Sequence, residues 1–349
     1  MDRQVSFDYL RAISCISVVI LHISSIYLKK DFVSLASETD WVIASFWRVL
    51  TNLAVPSFVM LSGAFIIRSE AKRYKDFYFK MFRRIVLPTL IVSVIYVIMH
   101  YAEIIMAHIL GMTIELEKMD LWNPIKNMVY GKPHSTMWYM YMIIPLYFVT
   151  PVIVMVKESL SVKWYRRLAV IMMCYGLIVE KSCSLSWVLQ FACWLGYFML
   201  GDVIREWAIS VKNSGSMWHY HMIRGVIIAY LSLSVYWYIH TYKTSLLTVP
   251  SSFSWIVIFS TILQFVGVAF SFTEKVNGWI NIIARYSFEI YLIHPIFVEV
   301  YMQLFGRIVH WFPAAWLIPV YAIFTICGCI SVVLPIKYYV WNRAFKINN

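Results

Sequence analysis

The chain has 349 residues, 61% of them apolar and 14% charged, and a mean hydropathy of +0.70. Soluble domains run at about 45 to 50% apolar and 25% charged, so this composition excludes a soluble fold, and links of at most about 26 residues between the apolar runs exclude a soluble enzyme on an anchor. The net charge of +12 does not point to nucleic acid, because the basic residues fall mostly in the links between apolar runs, where they report membrane topology.

The apolar runs predict an all-α polytopic membrane protein, one transmembrane domain over 1–349 with about ten helices. They fall at roughly 7 to 28, 41 to 67, 85 to 110, 137 to 156, 168 to 180, 185 to 204, 225 to 240, 253 to 272, 286 to 305 and 314 to 341. The 168 to 180 run is short for a crossing. With the next run it can instead form a hairpin around Glu180, Lys181 and Ser182, which lowers the count to eight and leaves both termini on one side. Counting Lys and Arg in alternate links gives 19 on one side and eight on the other, which places both termini in the cytoplasm. The first run holds Asp8 and Arg11 and no small-residue cleavage site, so it reads as an uncleaved span. Cys15, Cys174, Cys183, Cys193, Cys327 and Cys329 lie in or beside apolar runs without zinc or disulfide spacing and read as packing residues.

An ionisable residue inside a span costs about 2.5 to 3.5 kcal/mol on insertion scales, so each is a functional candidate. In the first span Arg11 and His22 stand eleven residues apart, which on a helix leaves about 20° between their faces and about 16 Å between their levels. A buried neutral imidazole suits a general base acting on a hydroxyl; the other reading is a packing histidine bonded to a neighbouring helix. The second span carries Arg48, Asn52 and Pro56 at i, i+4 and i+8, then Ser62 and Gly63, which permit close helix approach. Arg48 reads as a bundle-facing cation, held by helix packing or by an anionic ligand. The basic link 68–84 ends in Arg83 and Arg84, placed either for lipid headgroups or for the phosphates of a cytosolic cofactor. Trp138 and Tyr139 read first as an aromatic belt. The ninth span aligns Ser287, Tyr291 and His294 on one face, and Pro295 frees a backbone carbonyl beside them, so this stripe is either a cavity lining or an interhelical cluster. His100 and His108 lack a metal-ligand companion set, Glu180, Asp202, Glu289 and Glu299 read as pairing with bases or facing water, and no P-loop, GxSxG or HExxH motif is present.

Five segments in order now carry a resemblance: the first-span Arg, ten residues, then His; PSFVMLSG; FRRIVLP; MWYMYMIIPLYFVTPVI; and SFEIYLIHP. Together they resemble acyltransferase family 3, integral membrane enzymes that acylate cell-surface carbohydrates, in particular sugar O-acetyltransferases of the enterobacterial-common-antigen type. The resemblance implies a bacterial inner-membrane O-acyltransferase that takes an acetyl or succinyl group from cytoplasmic acyl-CoA, with no metal and no nucleic acid. The acceptor it implies is a hydroxyl of a surface polysaccharide or lipid-linked glycan. It implies His22 as the catalytic residue, Arg11 as needed for activity, and Arg83 and Arg84 as the pair associated with the acyl donor, with Arg11 also near its phosphates. His294 and Tyr291 are then expected to steady the thioester oxygen or the sugar, with Ser287, Arg48 and Trp138 as further substrate contacts.

Two departures from the family pattern follow. Many relatives carry a Glu-rich segment after the middle-motif Trp, whereas Trp138 here precedes Tyr139, Met140 and Tyr141. The esterase-like domain fused in some relatives is also not expected, which leaves acceptor handling to the membrane unit. A transporter or flippase of lipid-linked sugars is the alternative class, and inverted repeats with broken helices in matching halves would favour it.

Overall fold

The computed structural model describes residues 5–28, 37–68, 73–109, 122–130, 134–182, 190–213, 219–243, 250–270, 278–305 and 312–337. Cys183 and the side chains of His108 and Glu180 lie outside this description, and the other five cysteines are free thiols. Every described element is helical: α1 (Val5–Tyr27), α2 (Glu38–Leu50), α3 (Ala54–Ile66), α4 (Tyr74–Met81), α5 (Leu87–Ile109), α6 (Asn123–Val129), α7 (Trp138–Ser159), α8 (Val162–Ser182), α9 (Phe191–Asn213), α10 (His219–Tyr238), α11 (Trp255–Phe270), α12 (Gly278–Arg285), α13 (Ser287–Phe305) and α14 (Ala314–Ile336). Among the described residues, five helical stretches are long and apolar enough to cross a membrane: Val5–Tyr27, Glu38–Ile66, Tyr74–Met106, Trp138–Ser159 and Ala314–Ile336. On α5, Ile91, Ile98 and Ile105 form a stripe at seven-residue spacing and are all more than half exposed, a face that suits lipid and not water.

Three departures from the sequence-based element bounds have local causes. The expected link 68–84 is helical from Tyr74, and α4 runs through a π turn (Phe82–Val86) into α5. There the Leu87 N–H donates to the Phe82 carbonyl five residues back, and Pro88 has no N–H to restore the α register. The segment expected at 168 to 180 is one helix from Val162 to Ser182, because nothing in its charged first turn breaks it. The second span is broken by a 3-10 turn (Thr51–Leu53) between α2 and α3, four residues before the point where Pro56 fails to donate to the Asn52 carbonyl.

The chain divides into two compact units, one of Met1–Ser62 with Gly201–Asn349 and the other of Gly63–Leu200. In the first, α1 packs among α2, α12, α13 and α14 around a core that includes Cys15, Val19, Ile23, Ala44, Ile290 and Ile318. Cys15 Sγ donates to the Ser287 carbonyl (3.9 Å), and seven residues later on both helices His22 meets His294, so α1 and α13 run parallel. Glu289 near the start of α13 pairs with Lys337 at the end of α14, so those two run antiparallel. At the opposite end Asp40 accepts the Ala314 N–H (2.7 Å), a carboxylate placed on the first turn of α14. Also in this unit, a Cβ on Gly201 would collide with the Met60 carbonyl.

The second unit is held by aromatic contacts with polar handles. The Tyr78 ring stacks on Phe148 (centroids 5.4 Å) while its hydroxyl donates to the Phe148 carbonyl (3.0 Å). Tyr141 donates to Ser93 Oγ (3.1 Å), and Tyr96 stacks on His134 (4.7 Å). Tyr96 is buried, Tyr141 is part-buried and the Tyr78–Phe148 contact is exposed; the hydroxyls of Tyr78 and Tyr141 are satisfied while their rings pack.

Candidate active site

Because α1 is unbroken, Arg11 and His22 share a helix face at the spacing the sequence predicts. Arg11 Nη1 holds Asp8 Oδ1 at 3.3 Å, one turn earlier, and Asp8 is buried, so the carboxylate fixes where the guanidinium sits. His22 lies five residues, about 8 Å, from the Tyr27 end of α1. Its imidazole faces that of His294 with ring centroids 5.1 Å apart and an interplanar angle of 34°.

The position of His294 follows from the residue after it. Pro295 has no N–H, so the Tyr291 carbonyl loses its helical donor, and His294 Nδ1 takes the vacancy at 2.7 Å. A carbonyl only accepts; Nδ1 therefore carries the hydrogen and Nε2 is the basic nitrogen of the neutral ring. The sequence pair His-Pro thus sets a tautomer on a fully buried side chain. The Tyr291 ring lies 5.6 Å from the His294 ring and is itself buried.

Beside the His294 ring runs a narrow crevice lined by Cys15, Val18, Val19, Phe58, Ile290, Tyr291 and His294. It is too narrow for a water molecule, so a ligand reaches that imidazole only when side chains such as Phe58 move aside. Cys15 enters the lining although the sequence marks it only as packing. Phe58 is missed by sequence reasoning, because a Phe in an apolar run carries no chemical signal.

The remaining candidates separate. Ser287 donates to the Ala284 carbonyl (3.1 Å) and closes the α12–α13 junction, two turns from His294 on the same helix. Arg48 reaches Asn52 Oδ1 (3.4 Å) at the break of the second span. In the other unit, Trp138 packs on Trp194 (5.9 Å), Arg83 lies over the Phe79 ring (5.4 Å) and Arg84 is exposed on the π turn. A polar chain that sequence reasoning missed links Ser57 to Gln264 Oε1 (3.1 Å) and Gln264 Nε2 to the Tyr230 hydroxyl (3.0 Å). Its signal was available, since a Gln inside an apolar helix needs an interhelical partner. Among the described residues no group of three or more His, Cys, Asp or Glu is placed to hold a metal ion.

Five helical stretches among the described residues that are long and apolar enough to cross a membrane mark a polytopic membrane protein, and His22 lies on one of them. Residues 4–334 match the acyltransferase-3 family model, described as an acyltransferase domain, and the chain belongs to that family. It is therefore a membrane-type acyltransferase. No curated protein and no solved structure matches the chain.

Proposed function

We propose that the protein is an O-acetyltransferase of the bacterial inner membrane that moves acetyl from cytoplasmic acetyl-CoA to a hydroxyl of a surface or lipid-linked polysaccharide. On this reading the chain crosses the bilayer ten times, with both termini cytoplasmic. The observation that carries it is the His22–His294 pair standing at the far end of the same helix face that begins with Arg11. Their separation along α1, about 16 Å, is comparable to the pantetheine arm of the donor.

In the proposed step His22 accepts the proton of the acceptor hydroxyl as its oxygen attacks the thioester carbon. The C–O bond forms, the C–S bond breaks, and the proton passes to the departing thiolate, giving the ester and coenzyme A. His294, with Nδ1 held by the Tyr291 carbonyl, keeps a fixed ring beside His22, and in its protonated form it can donate from Nε2 to the thioester oxygen. Transient acylation of His22 is the alternative route to the same products, and a trapped acetyl-imidazole would identify it.

The crevice lining holds no Lys or Arg, which favours acetyl over succinyl, because a succinyl carboxylate would be desolvated there with only the His294 imidazole beside it. Phe58→Ala is expected to enlarge the crevice and raise turnover of propionyl-CoA relative to acetyl-CoA by about tenfold. An unchanged ratio of the two rates would remove Phe58 from acyl selection.

Arg11, Arg83 and Arg84 are assigned to the donor's phosphates on their chemistry, a guanidinium fork that matches a phosphate. A charge-assisted bond contributes about 1.5 to 3 kcal/mol, so Arg11→Ala and the Arg83→Ala, Arg84→Ala double variant should each raise the acetyl-CoA KM by about tenfold or more. Saturation curves that overlay the wild type would remove them from donor binding. Radiolabelled acetyl transfer by purified protein, with mass analysis of the surface glycan from cells with and without the chain, tests the function as a whole.

A further inference from the structure

Arg48 stands in the last turn of α2, eight residues, about 12 Å, in from Asp40. Among the described residues its guanidinium makes one hydrogen bond, the long one to Asn52 Oδ1 (3.4 Å), and no carboxylate lies within ion-pair distance. Asn52 is itself buried and committed on its other side, where Nδ2 donates to the Pro250 carbonyl ahead of α11. The amide thus holds a half-buried guanidinium in place without neutralising it, at the break of a membrane helix. A planar fork of five donors at membrane depth, with one bond made, matches a carboxylate or phosphate. Tyr27 at the end of α1 lies near Asp40, so from that end His22 stands about 8 Å along α1 and Arg48 about 12 Å along α2.

We infer that Arg48, seated by Asn52, is an anion subsite that holds a carboxylate or phosphate carried by the glycan acceptor. This rests on the transferase reading and narrows its substrate class to acidic or phosphate-bearing glycans. The helix C-terminal dipole also favours a cation here, and the test must separate that structural role from ligand binding.

The full-length protein is placed in nanodiscs of phosphatidylcholine, and its thermal midpoint is followed while glucuronate, glycerol phosphate or glucose is added. Glucuronate or glycerol phosphate should raise the midpoint of the wild type where glucose does not. The apparent affinity should fall at least about tenfold in Arg48→Gln and less in Arg48→Lys. A wild type that responds to no anion, or an Arg48→Gln that responds equally, overturns the inference and leaves Arg48 to the helix end. If Arg48→Gln does not fold, Asn52→Asp serves instead: its carboxylate occupies the guanidinium and should suppress the anion response, and an undiminished response overturns the inference. A second set of nanodiscs contains phosphatidylglycerol. If that lipid alone raises the midpoint through Arg48 and abolishes the response to the sugar anions, the site takes a bilayer headgroup and the acceptor assignment falls. The titration contains no acyl donor, so its failure removes the anion site alone, whereas a wild type that transfers no acetyl removes the enzymatic reading.

Discussion

Replacing His22 by alanine should lower acetyl transfer by about 10²- to 10⁴-fold, the span that a positioned general base contributes, while the protein still binds coenzyme A. The reasoning lies in the pairing. His294 is committed through Nδ1 to the Tyr291 carbonyl and sits on a fully buried ring, so it cannot swing into the place of its neighbour. His22, half-buried and 5.1 Å away, is the less enclosed imidazole of the pair. His22→Gln keeps hydrogen-bonding capacity without basicity and should be equally inactive. His294→Gln should be less severe, because it leaves the proton acceptor in place. A monodisperse His22→Ala protein that turns over at the wild-type rate would end the assignment.

Gly63→Val should strongly destabilise the fold, through backbone contact and not through chemistry. A Cβ at Gly63 would overlap the carbonyl oxygen of Phe198, on α9 of the same unit, and a carbonyl in a helix has no alternative rotamer to adopt. Separating the helices breaks their packing, and a destabilisation of about 3 kcal/mol or more is expected, at the upper end of overpacking effects. Gly278→Ala is the control, since a Cβ there meets nothing within 4 Å. Thermal unfolding of detergent-solubilised protein compares the two. A Gly63→Val midpoint equal to that of Gly278→Ala would show that the approach at Phe198 is not needed for the fold.

How much of the site was legible in the sequence differs from residue to residue. The Arg11–His22 stripe was readable because both residues lie on one unbroken helix, where spacing alone sets the angle and the rise. The Tyr291–His294 relation was half readable: Pro295 announces a freed carbonyl, but that the His294 ring fills it depends on a rotamer. Glu289 had only a class of partner, and Lys337 comes from another helix. Element bounds went astray where helices continue through links, at α4 and α8, because the charged residues there are also good helix formers.

Composition and the order of apolar runs determined that this chain is helical and membrane-bound, because in lipid the backbone must satisfy itself segment by segment. The linear order of five motifs also determined the family. Only the tertiary structure decided that His22 faces His294, that Cys15 and Phe58 line the crevice beside His294, and that no carboxylate among the described residues balances Arg48. The physical reason is that intrahelical geometry is fixed by a constant turn and rise, while contacts between helices depend on which faces meet and in what direction they run. Those choices are made by packing across long sequence separations.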